Sequence, residues 1–428
     1  MTGSASASAS HTGGRRPRLI LLKQWFHPEP GMRGLAFARR FEELGFEVEV
    51  VTGFPNYPGG KVYEGYRIRP LLRERIEGVA VTRLALYPSH DRSRIGRVLN
   101  YVSFFLSAAF YLTFLARRAD VVYAYHPPLT VAMAAAVARM FRRTPLVLDV
   151  QDMWPDTLRA TGMVGNERVL RAVGAACRWT WRRGDRISVL SEGFRRLLVE
   201  RGVPAEHVTV IPNWADESAM RAPAGAPPAA LAAPGRFRLL FAGNMGPAQG
   251  LGAVLEAAAL VAPQRPEIEF CFLGSGIELD RLKARVAAEG LANVRFLPRV
   301  PMAEAGAYLA AADALLVHLT ADPLFAITIP SKTQAYMAAG RPILMAVEGD
   351  AADLVRAAQA GLVVPPENPA ALAAAVLRLA DMAPDARERL GTNGRRYYDE
   401  HLSFAQGTQR LAELLRAAMA GAHAGERT

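Results

Sequence analysis

HLTADPLFAITIPSKTQAYMAAGRPILM, residues His318 to Met345, carries a buried apolar strand into a loop, a helix start and then a second apolar run. Ser331 and Gln334 have the spacing of a capping box, Pro330 precedes the cap, and Gly340 ends the helix. Free backbone N–H groups at such an end favour anions, and phosphate is the usual guest. Lys332 lies in that first turn. The chain has 51 Lys and Arg residues, yet only Lys23, Lys61, Lys283 and Lys332 are lysines. A lysine here therefore reads as a point charge for a phosphate. An ordinary capped helix with a surface lysine is the other reading of this segment alone.

On either side, short β-branched runs alternate with helical stretches, the pattern of a parallel sheet wrapped by helices. In the first half, strands are expected at Leu19–Leu22, Val48–Thr52, Val79–Leu84, Val121–Tyr125, Leu146–Val150, Ile187–Leu190 and Val208–Ile211. Composition turns to Ala and Pro between Asp216 and Gly235, as in a linker. A second series follows at Arg238–Ala242, Ile268–Leu273, Val294–Leu297, Ala314–His318, Pro342–Ala346 and Leu362–Val364. A chain of 428 residues also exceeds what one core organises. The expected fold class is α/β, with two doubly wound domains whose ligands lie outside the carboxyl ends of the strands, in a cleft between the domains. The expected parts are a leader at 1–16, a first domain at 17–215, a linker at 216–235, a second domain at 236–400 and a final segment at 401–428.

A net charge of +11 admits nucleic acid, anionic lipid or phosphorylated ligands. No basic run is interleaved with aromatics, so nucleic acid is not expected as a partner. Cys177 and Cys271 lie far apart in apolar settings, which argues against a disulfide framework and a cysteine metal site. The eight histidines lack metal-ligand spacing, so no metal is expected. The opening MTGSASASASHTGG is small and polar and reads as a disordered leader, which fits a cytoplasmic protein.

Val98 to Ala116 carries no charge over 19 residues, with Arg92, Arg94 and Arg97 before it and Arg117 and Arg118 after it. As a helix it would run about 28 Å. Crossing a membrane would put its flanking strands on opposite sides, where they could not share a sheet. What remains is a buried core helix or a helix lying in one leaflet with its arginines at anionic headgroups. Phe104 and Phe105 suit either reading, and in the second they contact lipid beside Arg117 and Arg118.

Four loops of the first half carry candidate chemistry. QWFHPEPGMRG, Gln24 to Gly34, offers Gly31 or Gly34 for close backbone approach and His27 for a hydroxyl or phosphate, or else is a proline-rich turn with a surface histidine. FPNYPGGKVYEGY, Phe54 to Tyr66, is an aromatic loop of the kind that covers an acceptor, or a plain long connection. In YHPPLT, His126 ends a buried strand, with a capped turn as the alternative. QDMWPDTLRATG, from Gln151, brackets Trp154 between Asp152 and Asp156 at a strand exit. A carboxylate there can accept a proton or orient a sugar, or Asp156 caps a turn while Asp152 bonds to backbone. In the second half, AGNMGPAQGL frees the backbone at Gly243, Gly246 and Gly250 ahead of a helix. LGSG at Leu273 lacks the third glycine and later acid of a dinucleotide site, so a nicotinamide enzyme fits poorly.

Taken together, QWFHPEPGMRG, HPPLT, QDMWPDTLRATGM, IPNWAD, GNMGPAQGL and IPSKTQAYMAAGRPI resemble, in this order, a retaining glycosyltransferase of the GT4 family, most closely its WbuB-like branch. The resemblance implies a GT-B fold of two Rossmann-like domains, the first on the acceptor side and the second binding the nucleotide sugar. It also implies that a helix near Gln409 to Ala420 crosses back to the first domain. Its diphosphate site falls on Gly243, Asn244, Gly246, Gln249, Ser331 and Lys332. Asn244 and Gln249 replace an Arg and a Lys common in the family, and its Glu pair falls on Ile327 and Ala335. Asp152 and His27 become the candidates for catalysis, and Gly31, Gly34, His126, Trp154 and Asp156 for contacts to acceptor or sugar. The implied partners are a nucleotide-diphosphate sugar, UDP-linked and N-acetylated, a polyprenyl-diphosphate-linked acceptor, and the inner leaflet of the cytoplasmic membrane. No cofactor or metal is implied. Within the same fold a UDP-N-acetylglucosamine 2-epimerase is the rival, and a catalytically silent membrane-associated scaffold is the rival outside catalysis.

Overall fold

The computed structural model describes residues 15–89, 94–220, 228–232 and 234–425. The leader up to residue 14, Arg92 and parts of the 216–235 linker lie outside the described residues. Two sheets organise the chain. The first is built from β1 (Arg18–Leu22), β2 (Glu47–Gly53), β3 (Leu71–Ile76), β4 (Val79–Leu84), β5 (Val121–His126), β6 (Leu146–Val150), β7 (Arg186–Val189) and β8 (Val208–Val210). Its strand order is β3-β4-β2-β1-β5-β6-β7-β8. The second contains β9 (Phe237–Asn244), β10 (Ile268–Ser275), β11 (Val294–Leu297), β12 (Ala314–His318), β13 (Ile343–Ala346) and β14 (Gly361–Val363), in the order β11-β10-β9-β12-β13-β14. All five pairings of the second sheet are parallel.

Each expected strand is present within a residue or two at its ends, and one strand was not foreseen. β3 pairs antiparallel with β4 across a two-residue turn in which Glu77 and Gly78 both have positive φ, 46° and 92°. This is the hairpin turn whose twist matches the flanking strands. The strand itself, LLRERI, is a charged edge with no fully buried residue, so it lacks the apolar run of its neighbours.

By compactness the chain divides into one unit of Met1–Asp149, Arg183–Asp185 and Leu414–Thr428 and a second of Val150–Arg182 and Arg186–Glu413. In the second unit, alternate residues of each strand feed two cores, one on either face of the sheet. Leu240, Leu315, Val317 and Met345 enter one, and Leu239, Phe241, Leu316 and Leu344 enter the other. Within the first unit, Arg416 of the last helix donates to the Leu44 carbonyl at 2.6 Å and covers the Phe46 ring.

The uncharged stretch forms a helix from Arg94 to Phe110 that continues as a wider turn over Tyr111–Leu115. β4 before it and β5 after it share the first sheet. Gly96, Asn100, Phe104, Ala108, Tyr111 and Leu112 make its buried face. Phe104 is 0 % exposed, so it is a core residue and not a lipid contact. Phe105 is half-buried, whereas Arg117 and Arg118 are exposed. The nearly uniform apolar composition hid which side faces the core.

Candidate active site

The glycine loop and the Lys332 helix start meet at the carboxyl edge of β9, β10 and β12. β9 and β10 stay paired through Gly243 and Gly274 out to Asn244 and Ser275. Gly243 has φ +139°, which disfavours any side chain, and a Cβ there would lie 3.4 Å from the Lys332 Nζ. Beyond it, Met245 N–H donates to Ser275 O at 2.8 Å and ties the two strand exits together. The loop then tightens through the Gly246 N–H, which donates to Gln249 Oε1 at 2.9 Å. Gln249 Oε1 is thus turned into its own loop, which leaves only the amide Nε2 of that side chain to donate outward. Asn244 is exposed, with its amide over Gly246.

His318, at the end of β12, holds this loop in place. Its Nε2 accepts from the Glu367 N–H at 3.3 Å, so Nδ1 carries the proton and donates to Gln249 O at 2.7 Å. Burial lowers its pKa and keeps the ring neutral. No motif singled it out, although a polar residue closing an otherwise apolar strand was the available signal. A cavity of about 420 Å³ borders the loop, lined by Gly246, Gly250, Thr320, Glu278 and Glu367. Arg281 also lines it and pairs with Glu278, so the lining carries both signs of charge.

The helix Ser331–Ala339 begins one residue earlier in register than a Ser cap requires. Pro330 is the capping residue, Ser331 is already helical, and no side chain caps the end. Gln334 is buried, and its amide, oriented to donate, reaches the Pro330 carbonyl at 3.0 Å and the Ser331 carbonyl at 3.2 Å. The expected capping box is therefore absent. Gln334 braces carbonyls, and the N–H groups of Ser331 and Lys332 stay ahead of the first helical bonds. Ser331 itself is exposed.

Lys332 extends from this helix over the Phe241 ring, with Nζ 3.7 Å from its centroid. Among the described residues its Nζ has no hydrogen-bond partner. Burial, with no compensating carboxylate, lowers its pKa from 10.5 to about 7. A shift of that size corresponds to roughly 5 kcal/mol of lost solvation for the charged form. A multiply charged oxyanion beside Gly243 would return that energy. Gly243 and Lys332 are brought together, and Phe241 was missed because its contribution depends on the strand face.

The positions of the family's Glu pair are used differently. The Ile327 carbonyl accepts from Ser191 Oγ at 2.6 Å, and a Cβ on Gly193 would fall 2.4 Å from the Ile327 Cβ. Ala335 is half-buried against the core containing Tyr336 and Met337. Tyr336 Oη accepts from the Ala242 N–H at 2.8 Å and anchors the end of β9 to this helix.

The loop after β6 separates the two aspartates. Asp152 accepts from Trp154 Nε1 at 3.2 Å and from the Thr157 hydroxyl. Burial raises its carboxyl pKa, while these donors pull it down. Asp156 instead forms an ion pair with Arg201 at 2.7 Å. Trp154 is half-buried and fixed through Asp152.

In the loop after β1, His27 is exposed and its carbonyl accepts from Arg83 at 2.6 Å. Gly34 caps the helix Leu35–Glu43. Gly31 lies over Lys23, whose Nζ donates to the Arg33 carbonyl at 2.6 Å. Lys23 is buried, chiefly for which reason its pKa falls to about 7. Arg33 and Asp149 form a buried ion pair at 2.8 Å beneath the loop. His126 is 1 % exposed and its pKa is depressed to about 4 by burial. It is therefore a neutral core group and not a surface contact for acceptor or sugar.

A first sheet that is parallel apart from the β3–β4 hairpin, and an all-parallel second sheet, give the two-domain α/β arrangement of the GT-B fold. Residues 30–214 match the Glycosyl transferase 4-like domain and residues 236–382 match the Glycosyl transferases group 1 domain, so the chain belongs with these glycosyltransferases over most of its length. It is 28% identical over 296 residues to WbjE of Pseudomonas aeruginosa, named as a glycosyltransferase, covering 67% of this chain and 73% of that protein. It is 29% identical over 314 residues to WcaI of Escherichia coli K12, named as a colanic acid biosynthesis glycosyl transferase, covering 71% and 76%. In fold it is similar to a sucrose-phosphate synthase from Thermosynechococcus elongatus, with TM-score 0.69, 18% identity and 95% and 100% of the two chains covered. It is also similar to Anabaena HepE in complex with UDP and glucose, with TM-score 0.64, 17% identity and coverage of 94% and 99%.

Proposed function

We propose that this glycosyltransferase moves an N-acetylated amino sugar from a UDP donor, with retention, to a polyprenyl-diphosphate-linked saccharide during cell-surface polysaccharide synthesis, as expected of the WbuB-like branch. The observation that carries the donor assignment is the buried Lys332 Nζ, unpartnered among the described residues and adjacent to Gly243. The polysaccharide setting draws support from WcaI, named for colanic acid biosynthesis, and the nucleotide from HepE, solved with UDP.

In this reading residues 17–215 form the acceptor side and 236–400 the donor side, and the protein works on the inner face of the cytoplasmic membrane. The anomeric carbon loses its bond to the diphosphate oxygen as the acceptor hydroxyl bonds on the same face, and the hydroxyl proton leaves with the diphosphate. Lys332 and the N–H groups of Ser331 and Lys332 stabilise the charge that grows on the departing oxygen, commonly worth about 3–4 kcal/mol per key contact. Asp152, held by Trp154 and Thr157, and His27 position the sugar and the hydroxyl. No metal takes part.

Thermal shift against a panel of nucleotide sugars, followed by transfer to membrane lipid extract, tests the reading. A stabilising UDP-sugar that is transferred by wild type but not by Lys332→Ala supports it. Epimer formation without acceptor, or an absence of nucleotide binding, refutes it.

A further inference from the structure

The helix from Arg94 and its continuation to Leu115 present a second face that the protein does not cover. Ile95, Val98, Val102, Leu106, Phe110 and Phe114 recur every three or four residues along it, and Ile95 is 75% and Phe114 65% exposed. The Phe110 and Phe114 rings pack 5.2 Å apart. At the far end the neighbouring helix Leu129–Arg142 adds exposed Met140 and Phe141, joined where Arg142 Nε donates to the Thr113 carbonyl at 2.6 Å. An apolar stripe of this extent is not a usual surface for a protein in water.

Its charges are of one sign. Residues 94–118 contain Arg94, Arg97, Arg117 and Arg118 and no acid. Arg143 is also exposed beside the stripe, and among the described residues neither it nor Arg118 has a carboxylate partner. Glu47 lies 3.7 Å from Arg117, and Asp120, just past the stretch, is paired with Arg15 at 2.8 Å. A second copy laid across the stripe would set arginines against arginines, since both ends are basic. Spanning a bilayer would tear the opposite face from the core, where Asn100 accepts from Gln24 at 2.5 Å and donates to the Tyr87 carbonyl at 2.7 Å.

We infer that this face docks on an anionic phospholipid bilayer, with the helix lying in the membrane plane, Phe110, Phe114 and Phe141 among the acyl chains and the arginines at phosphate depth. The inference deepens the lipid-linked acceptor proposed above and rests on it only for its purpose. On the same helix Tyr101 packs edge-on against Trp25 at 6.2 Å, and Trp25 lies 5.0 Å from Tyr57. Docking therefore brings the loop after β1 to the headgroup layer, where a membrane-anchored saccharide would present its reducing end.

The full chain is floated with vesicles of phosphatidylcholine alone and with equal parts phosphatidylglycerol. Wild type partitions to the mixed vesicles and only weakly to the neutral ones. The pair Phe110→Asp with Phe114→Asp lowers partitioning at least tenfold, and Arg117→Glu with Arg118→Glu lowers it about tenfold and removes its salt sensitivity. Melting temperature confirms that each variant is folded, and if the apolar pair does not fold, the arginine pair decides. Wild type that ignores mixed vesicles, variants that bind as wild type does, or a dimer that the variants dissociate would each overturn the inference. UDP titration of the same samples reads the donor site separately, so loss of one claim leaves the other standing or falling by itself.

Discussion

UDP binding should weaken as pH rises above 7, because the lysine that receives the diphosphate starts from a depressed pKa. In the free protein burial holds Lys332 at about 7, so it is half-charged there. A bound diphosphate restores the charge and raises the pKa, so binding between those two values takes up a proton. At pH 8 the uptake is about 0.9 proton per UDP, and each further pH unit costs a factor of ten in Kd, about 1.4 kcal/mol. Calorimetry in two buffers of different ionisation enthalpy at pH 8 measures the uptake directly, and titrations from pH 7 to 9 measure the slope. Lys332→Met should bind weakly at every pH with no slope. A flat Kd over this range, with no buffer dependence, would refute the assignment of Lys332 to the diphosphate.

The stability of the unliganded protein should change in the opposite sense. Lys23 and Lys332 both have folded pKa values near 7 against 10.5 unfolded, so between these values the unfolded chain binds more protons and stability rises with pH. Each contributes up to about 1.4 kcal/mol per pH unit, and a chemical-denaturation series from pH 7 to 9 on wild type and Lys332→Met should lose one share in the variant. Gly243→Ala forces a side chain to positive φ beside Lys332 and should cost about 1–3 kcal/mol in stability along with most UDP affinity, read by denaturation and calorimetry. Asp152→Asn should leave UDP binding and folding intact while sharply lowering transfer, whereas Asp156→Ala should lose about 1–3 kcal/mol of stability through its Arg201 pair and leave UDP affinity unchanged.

The parallel strands were legible because buried strands of a doubly wound sheet are continuous apolar runs, and the glycine loop and Lys332 were legible because both stand out against their surroundings. β3 was not, since a charged edge strand stabilised by a Glu77–Gly78 turn has no apolar signature. The remaining misreadings concern direction and partners. Phe104 and Phe105 are neighbours in sequence, and only the rotation of the helix puts the first in the core. Asp156 found Arg201 from 45 positions away, while Gln249 turned back on Gly246 and Gln334 on the carbonyls before it. His126 ends its strand inside the core, where depressed basicity replaces surface chemistry. The Phe104, Asp156 and His126 environments are set by tertiary packing, and the Gln249 and Gln334 contacts by side-chain rotamers, neither of which residue type and spacing encode.

A crystal structure of the protein with UDP tests the central claim most directly. The account predicts the β-phosphate within hydrogen-bonding distance of the Lys332 Nζ and the N–H groups at the start of the Ser331–Ala339 helix, with Gly243 against the diphosphate. UDP seated elsewhere, with the Lys332 Nζ still unpartnered over Phe241, would contradict it.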